Sequence, residues 1–190
     1  MDIKAAKTSL PPSITAKIIP VVENAVQLTQ FMEHPQVKAV VLRHCNLLDL
    51  APRIERAHQQ GLLVYVNIDQ IDGVHADADG LAYLSERCHV HGIVSNNPRV
   101  LTMGKALHFQ TVQRVFAVDS TGLQASLTTV NLADVDLLDI SPALVVPHLQ
   151  EFPFPLPFLA SGLIYTPQQV QAVLKAGAQG VAVSQADLWP

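Results

Sequence analysis

The sequence predicts an α/β fold, a compact TIM-like (β/α) barrel with eight short parallel strands and a reduced final helix. Three observations carry that prediction. Short apolar runs rich in Val, Ile and Leu alternate with amphipathic segments along the chain, the pattern of repeated strand–helix units. Hydrophobic residues make up 49 % of the 190 residues and charged ones only 15 %, a balance that suits strands buried on both faces. Polar residues gather at the C-terminal ends of the apolar runs, where a parallel barrel keeps its functional loops. An open doubly wound sheet is the competing arrangement and would place a ligand at a switch point instead. The length is short for a barrel, since about 250 residues is usual.

Ile18-Ile-Pro-Val-Val22 reads as the first strand, followed by a helix through Val26, Phe31 and Met32 that Pro35 stops. Lys38–Arg43 is the second strand, with His44-Cys45-Asn46 as its polar exit. The amphipathic stretch Leu47–Gln60 is a helix, and Gly61 supplies its C-terminal cap. Leu62–Ile68 is the third strand, with Asn67 and Asp69 at its end, followed by a loop from Gly73 to Ala78 and a helix to about Cys88. Gly92–Ser95 is a short fourth strand, and Asn96-Asn97-Pro98 opens the next helix.

Phe109–Phe116 mixes polar and apolar residues as the fifth strand, and Asp119-Ser-Thr starts a helix through Leu123 and Leu127. Val135–Ile140 is the sixth strand, with another helix expected from Ser141-Pro142. Pro153, Pro155 and Pro157 form a stiff connector into a closing βαβ unit, Phe158–Trp189. There Ser161-Gly162 ends a strand, Thr166-Pro167 starts a helix closed by Gly177, and Gly180–Ser184 is the last strand. Asp187-Leu-Trp-Pro190 is too brief for a covering helix.

Residues 1–16 read as a flexible lead and 17–190 as a single barrel domain. No apolar run reaches the roughly 18 residues that span a bilayer, and the lead lacks a secretory signal. Cys45 and Cys88 have neither metal-type nor disulfide-framework spacing, which points to a reduced, cytoplasmic protein without a resident cofactor. The net charge is −4. Nucleic-acid-binding domains usually carry a basic excess that neutralises phosphates, so composition alone argues against strong RNA or DNA binding.

On the barrel reading the C-terminal rim collects Arg43, His44, Asn67, Asp69, Ser95, Asn96, Arg114, Asp139, Ser161, Gly162, Ser184 and Gln185. Asp69 and Asp139 are the carboxylates at strand ends. They suit helix capping and pairing with Arg114, or else acid–base chemistry in a small phosphate-binding enzyme. No strand end carries a lysine for a Schiff base, His75, His89 and His91 lack metal-ligand spacing, and Cys45 suits a small buried hydrophobe. The stronger expectation is an anion cradle. Gly162 with the following helix start, and Ser184-Gln185 with a last helical turn, would offer N–H groups and hydroxyls after the last two strands.

The segments Val64–Asp77, Gly92–Ser95, Val112–Ser120 and Phe158–Trp189 resemble the glycerol uptake operon antiterminator regulatory proteins. The motifs that carry the likeness are Ile68-Asp69-x-Ile71-x-Gly73, Gln113-Arg114-x-Phe116 and the ending Leu188-Trp189, in matching order. The resemblance covers about residues 17 to 189. It implies a compact barrel regulator that is not an enzyme. Such a regulator binds glycerol-3-phosphate, or a similar small phosphorylated ligand, and the leader mRNA of glycerol genes, preventing early transcription termination. It also implies a ligand site on the matching rim: Asn67, Asp69, Ser95, Arg114, Asp139, Ser161, Gly162, Ser184 and Gln185.

The family carries His-Val-Asp where this chain has Asn67-Ile68-Asp69, Gly-Gly where it has Ser161-Gly162, and Thr-Ser-Asn where it has Val183-Ser184-Gln185. These changes fall on the rim and imply an altered ligand choice or weakened binding. A homodimer is also expected, because a missing final helix would leave apolar barrel surface for a neighbour to cover.

Overall fold

The structure is a computed structural model, and it describes residues 17–32, 37–150 and 152–190. The expected lead 1–16 and the helix-stopping Pro35 lie outside the described residues. Eight parallel strands close into a barrel: β1 Ile18–Val22, β2 Ala39–Leu42, β3 Leu63–Asn67, β4 Gly92–Ser95, β5 Gln110–Phe116, β6 Leu137–Ser141, β7 Phe158–Ser161 and β8 Gly180–Val183. Each strand pairs with its neighbours in sequence, and β8 closes on β1 with Ile19 opposite Ala182. A two-residue parallel ladder, Cys45–Asn46 against Ile71–Asp72, ties together the loops after β2 and β3.

Among the described residues six helices follow strands: α1 Ala25–Met32, α2 Leu47–Gln59, α3 Ala78–Ala82, α4 Pro98–Ala106, α5 Ser120–Thr128 and α6 Pro167–Lys175. Their starts are set by side chains that accept from otherwise unpaired first-turn amides. Asn46 accepts from Asp49 N, Asp77 from Gly80 N, Asn97 from Arg99 N, and Asp119 from Gly122 N. Thr166 and Gln169 form a reciprocal capping box at α6. The helix expected to run to about Cys88 is α-helical only over Ala78–Ala82 and ends in a π turn, Tyr83–Arg87. The helix expected from Ser141-Pro142 is a 3-10 segment, Ala143–His148, because Ser141 finishes β6 and Pro147 interrupts the ladder.

Alternation along the strands makes two cores. One lies inside the barrel and includes Ile19, Val21, Val41, Tyr65, Val94, Val112, Leu159 and Ala182. The other lies between strands and helices, built from the alternate positions such as Val40, Val64, Ile93, Leu138, Ala160 and Val181. Gly92 makes room for the largest inner side chain. A Cβ there would lie 2.4 Å from the Tyr65 ring and 2.6 Å from the Gln110 carbonyl oxygen.

The final helix is indeed reduced, to a 3-10 turn at Ala186–Leu188. Trp189 takes its place. Its ring meets Phe31 edge-on at 5.8 Å, and its indole N–H donates to the Val183 carbonyl at 2.8 Å. The apolar face expected to await a neighbour is therefore covered within the chain, and Val181 and Val183 are buried. Among the described residues no helix is long and apolar enough to cross a membrane.

Candidate functional site

Near their C-terminal ends the inward positions switch from apolar to polar, and the rim residues separate into three groups. The first lies inside the barrel mouth. Val112 and Leu137 are register partners, and two residues further on Arg114 stands opposite Asp139. The guanidinium grips Asp139 Oδ2 twice, from Nε at 2.9 Å and from Nη2 at 2.8 Å. Ser161 donates its hydroxyl to the same oxygen at 3.0 Å. Asp139 Oδ1 is buried and has no partner among the described residues, and the same holds for Asn67 Oδ1. Asn67 uses its amide nitrogen on Gln70 Oε1 at 2.6 Å. The mouth thus holds two buried acceptors that await donors, and buried acceptors are normally satisfied.

The second group is a cradle of about 140 Å³ at the ends of β7 and β8, lined by Arg43, Gly162, Leu163, Tyr165, Ser184 and Gln185. Gly162 has φ +85° and Leu163 φ +59°, two successive left-handed residues that bend the chain around the space. Glycine is favoured at the first position, since a Cβ there would be 3.1 Å from Ser141 Oγ and strained by its backbone as well. Ala182 borders both this cradle and the narrow interior space that Arg114 and Asp139 line, so the two groups adjoin.

Three details differ from the sequence expectation. The amides leading into α6 are taken by its capping box, with Gln169 Oε1 accepting from Tyr165 N and Thr166 N and Thr166 Oγ1 from Gln169 N, and the space is lined by loop residues that precede the helix. Ser161 points inward to Asp139 and does not line the cradle. Arg43, which sequence placed on the rim but outside the anion site, does line it. Its guanidinium is anchored on Glu23 Oε1, from Nε at 2.6 Å and Nη2 at 2.5 Å, and this leaves further N–H donors. No local signal joins β2 to the loop after β7; closure of the barrel does.

The third group is Asp69 with Ser95. Asp69 lies in the turn after β3. It accepts from Ser95 Oγ at 2.7 Å and from Asn96 N at 2.7 Å. Ser95 Oγ in turn accepts from Asn97 N at 3.0 Å. Both carboxylate oxygens of Asp69 are thus engaged in shaping the loop after β4, away from the cradle.

Reactive groups are scarce around this mouth. The described lysines, Lys17, Lys38, Lys105 and Lys175, lie before strands or on helices and line neither the mouth nor the cradle. Burial pushes the Cys45 and Cys88 thiols up from their ordinary range, which disfavours the nucleophilic thiolate. Among the described residues no group of three or more His, Cys, Asp or Glu side chains is placed to hold a metal ion.

A family model of glycerol-3-phosphate responsive antiterminators matches residues 18–189, nearly the whole barrel. The chain belongs to that family. Among solved structures it is similar to the glycerol uptake operon antiterminator regulatory protein from Listeria monocytogenes, with 24 % identity and a TM-score of 0.86 over 95 % of this chain and 97 % of that one. It is also similar to a glycerol uptake operon antiterminator-related protein from Thermotoga maritima, at 20 % identity and TM-score 0.81, covering 93 % of this chain and 99 % of the other. A deoxyribose phosphate aldolase from Aeropyrum pernix shares the fold at 13 % identity and TM-score 0.70, over 92 % and 88 % of the two chains. No curated protein matches the sequence significantly. At these identities the solved structures speak for the fold; the family model places the chain among regulators.

Proposed function

We propose that this antiterminator-family chain binds glycerol-3-phosphate, or a close phosphorylated polyol, in the barrel mouth and engages leader RNA in response, without catalysing a reaction. The observation that carries the ligand half is the junction of an anion cradle with unpartnered acceptors. Arg43 and the loops at Gly162–Tyr165 and Ser184–Gln185 offer cationic and polar groups to a phosphate. Asp139 Oδ1 and Asn67 Oδ1 offer acceptors to hydroxyl donors. A molecule with a phosphate at one end and hydroxyls at the other satisfies both.

The absence of an enzyme role rests on the same geometry. Asp139 is held by Arg114, Asp69 is committed to Ser95 and Asn96, and no described lysine reaches the mouth. Isothermal calorimetry tests the ligand half. Glycerol-3-phosphate gives heat and saturation while glycerol alone gives none; an absence of heat at millimolar glycerol-3-phosphate would overturn the assignment.

A further inference from the structure

The motif Gln113-Arg114-x-Phe116 is only partly explained by the ligand mouth, because Gln113 points out of the barrel while Arg114 points in. The structure puts it on a groove of about 410 Å³ between α4 and α5, bordered by Asn96, Gln113, Arg114, Phe116, Ser126 and Thr129. The orientation of the Gln113 amide is fixed by chemistry. Thr129 gives its hydroxyl proton to the Ser126 carbonyl at 2.7 Å, so its oxygen can only accept from Gln113, and Gln113 Nε2 donates to it at 3.0 Å. Gln113 Oε1 is therefore turned away from Thr129. It has no partner among the described residues, and Gln113 is only 2 % exposed. At the lip of the groove Phe116 is 45 % exposed, a large aromatic ring left in solvent, with Val118 exposed beyond it.

A buried amide acceptor and an exposed aromatic ring on one groove are the chemistry that recognises an unpaired nucleobase, with hydrogen bonds to the base edge and stacking on its face. Charge limits how an RNA could be held here. The rim loops carry Asp69, Asp72, Asp119 and Asp187, while Arg43 is paired with Glu23 and Arg114 with Asp139. Affinity for RNA cannot then come mainly from neutralising phosphates, and single-base capture is the mode left to an acidic chain. We infer that this groove receives an unpaired base of the RNA, a step that rests on the antiterminator reading. Arg114 borders the groove and the ligand mouth alike, so a ligand that draws on Asp139 bears directly on one wall of the base site.

Fluorescence anisotropy with short homopolymeric oligoribonucleotides of A, C, G and U, with and without glycerol-3-phosphate, tests the inference. Wild type binds at least one oligomer, with weak salt dependence. Phe116→Ala, at an exposed position, and Gln113→Leu each weaken that binding by about tenfold and leave the heat of glycerol-3-phosphate binding unchanged. Oligomers that bind wild type and both variants equally would overturn the groove while leaving RNA binding in place elsewhere. If no oligomer binds wild type under either condition, although glycerol-3-phosphate gives heat, both the groove and the RNA half of the proposed function fall.

Discussion

Replacing either member of the Arg114–Asp139 pair removes the central polar contact of the barrel mouth. The side chains are 11 % and 5 % exposed, so water screens the pair little and its loss leaves an isolated buried charge. Removing one partner of such a pair costs about 3–5 kcal/mol. Arg114→Met strands the Asp139 carboxylate with one remaining neutral donor, Ser161, at 3.0 Å. Asp139→Leu strands the guanidinium. In the double variant Arg114→Met/Asp139→Leu no charge is stranded, and apolar replacement of a buried pair is often neutral or stabilising. The double variant is therefore more stable than either single one, with a coupling energy of at least about 3 kcal/mol. Ser161→Ala, which leaves both guanidinium bonds, costs about 1.5–3 kcal/mol, the range for a hydrogen bond to a charged group.

Urea unfolding followed by circular dichroism and by the fluorescence of Trp189, the one tryptophan of the chain, provides the measurement, with m-values compared across the set. Single variants that lose less than about 1 kcal/mol, as exposed pairs do, would refute the reasoning. Losses that add within about 0.5 kcal/mol in the double variant would refute it too.

Gly162→Ala places a side chain at φ +85° and against Ser141 Oγ; a loss of about 1–2 kcal/mol in urea unfolding is expected, with weakened glycerol-3-phosphate binding in calorimetry. Arg43→Met weakens that binding by at least about tenfold. Glu23→Gln, which releases the guanidinium from its carboxylate, tightens it, and equal affinities for all three proteins would exclude Arg43 from the phosphate site. Burial, reinforced by neighbouring histidine charge, holds His58 and His91 below their ordinary pKa of 6.5. The unfolded chain then binds more protons just below 6.5, so the stability these groups contribute is complete above that pH and is lost as pH falls through their folded values. Tm recorded from mildly alkaline to mildly acidic pH declines accordingly, and His58→Leu flattens the decline. At more acidic pH the Lys105–Asp136 pair is lost in the same direction: burial alone would raise the Asp136 carboxyl, but Lys105 and Thr111 outweigh it and hold it low.

Much of the fold was legible because its signals are local. Apolar runs mark the strands, and Asn97, Asp119 and Thr166 mark helix starts through hydrogen bonds within three residues. The segment after β6 misled because Ser141-Pro142 looks like a helix start, whereas Ser141 continues the ladder opposite Phe116. The site was legible in position and much less so in its internal connections. Ser161 and Gly162 are adjacent in sequence, but strand alternation sends the serine to Asp139 and leaves the glycine on the cradle. The registers that set Arg114 opposite Asp139 and bring Arg43 to the cradle arise from closure of the barrel, a long-range property that no short motif encodes. Ser161 thus extends the Asp139 network instead of opening the cradle.

The most direct test of the account is a crystal structure of the chain soaked with glycerol-3-phosphate at millimolar concentration. The account predicts the phosphate within hydrogen-bond reach of Arg43 and of the Gly162–Tyr165 and Ser184–Gln185 loops, with a hydroxyl on Asp139 Oδ1. Phosphate bound at another surface, or a mouth that stays empty at saturating ligand, would contradict it.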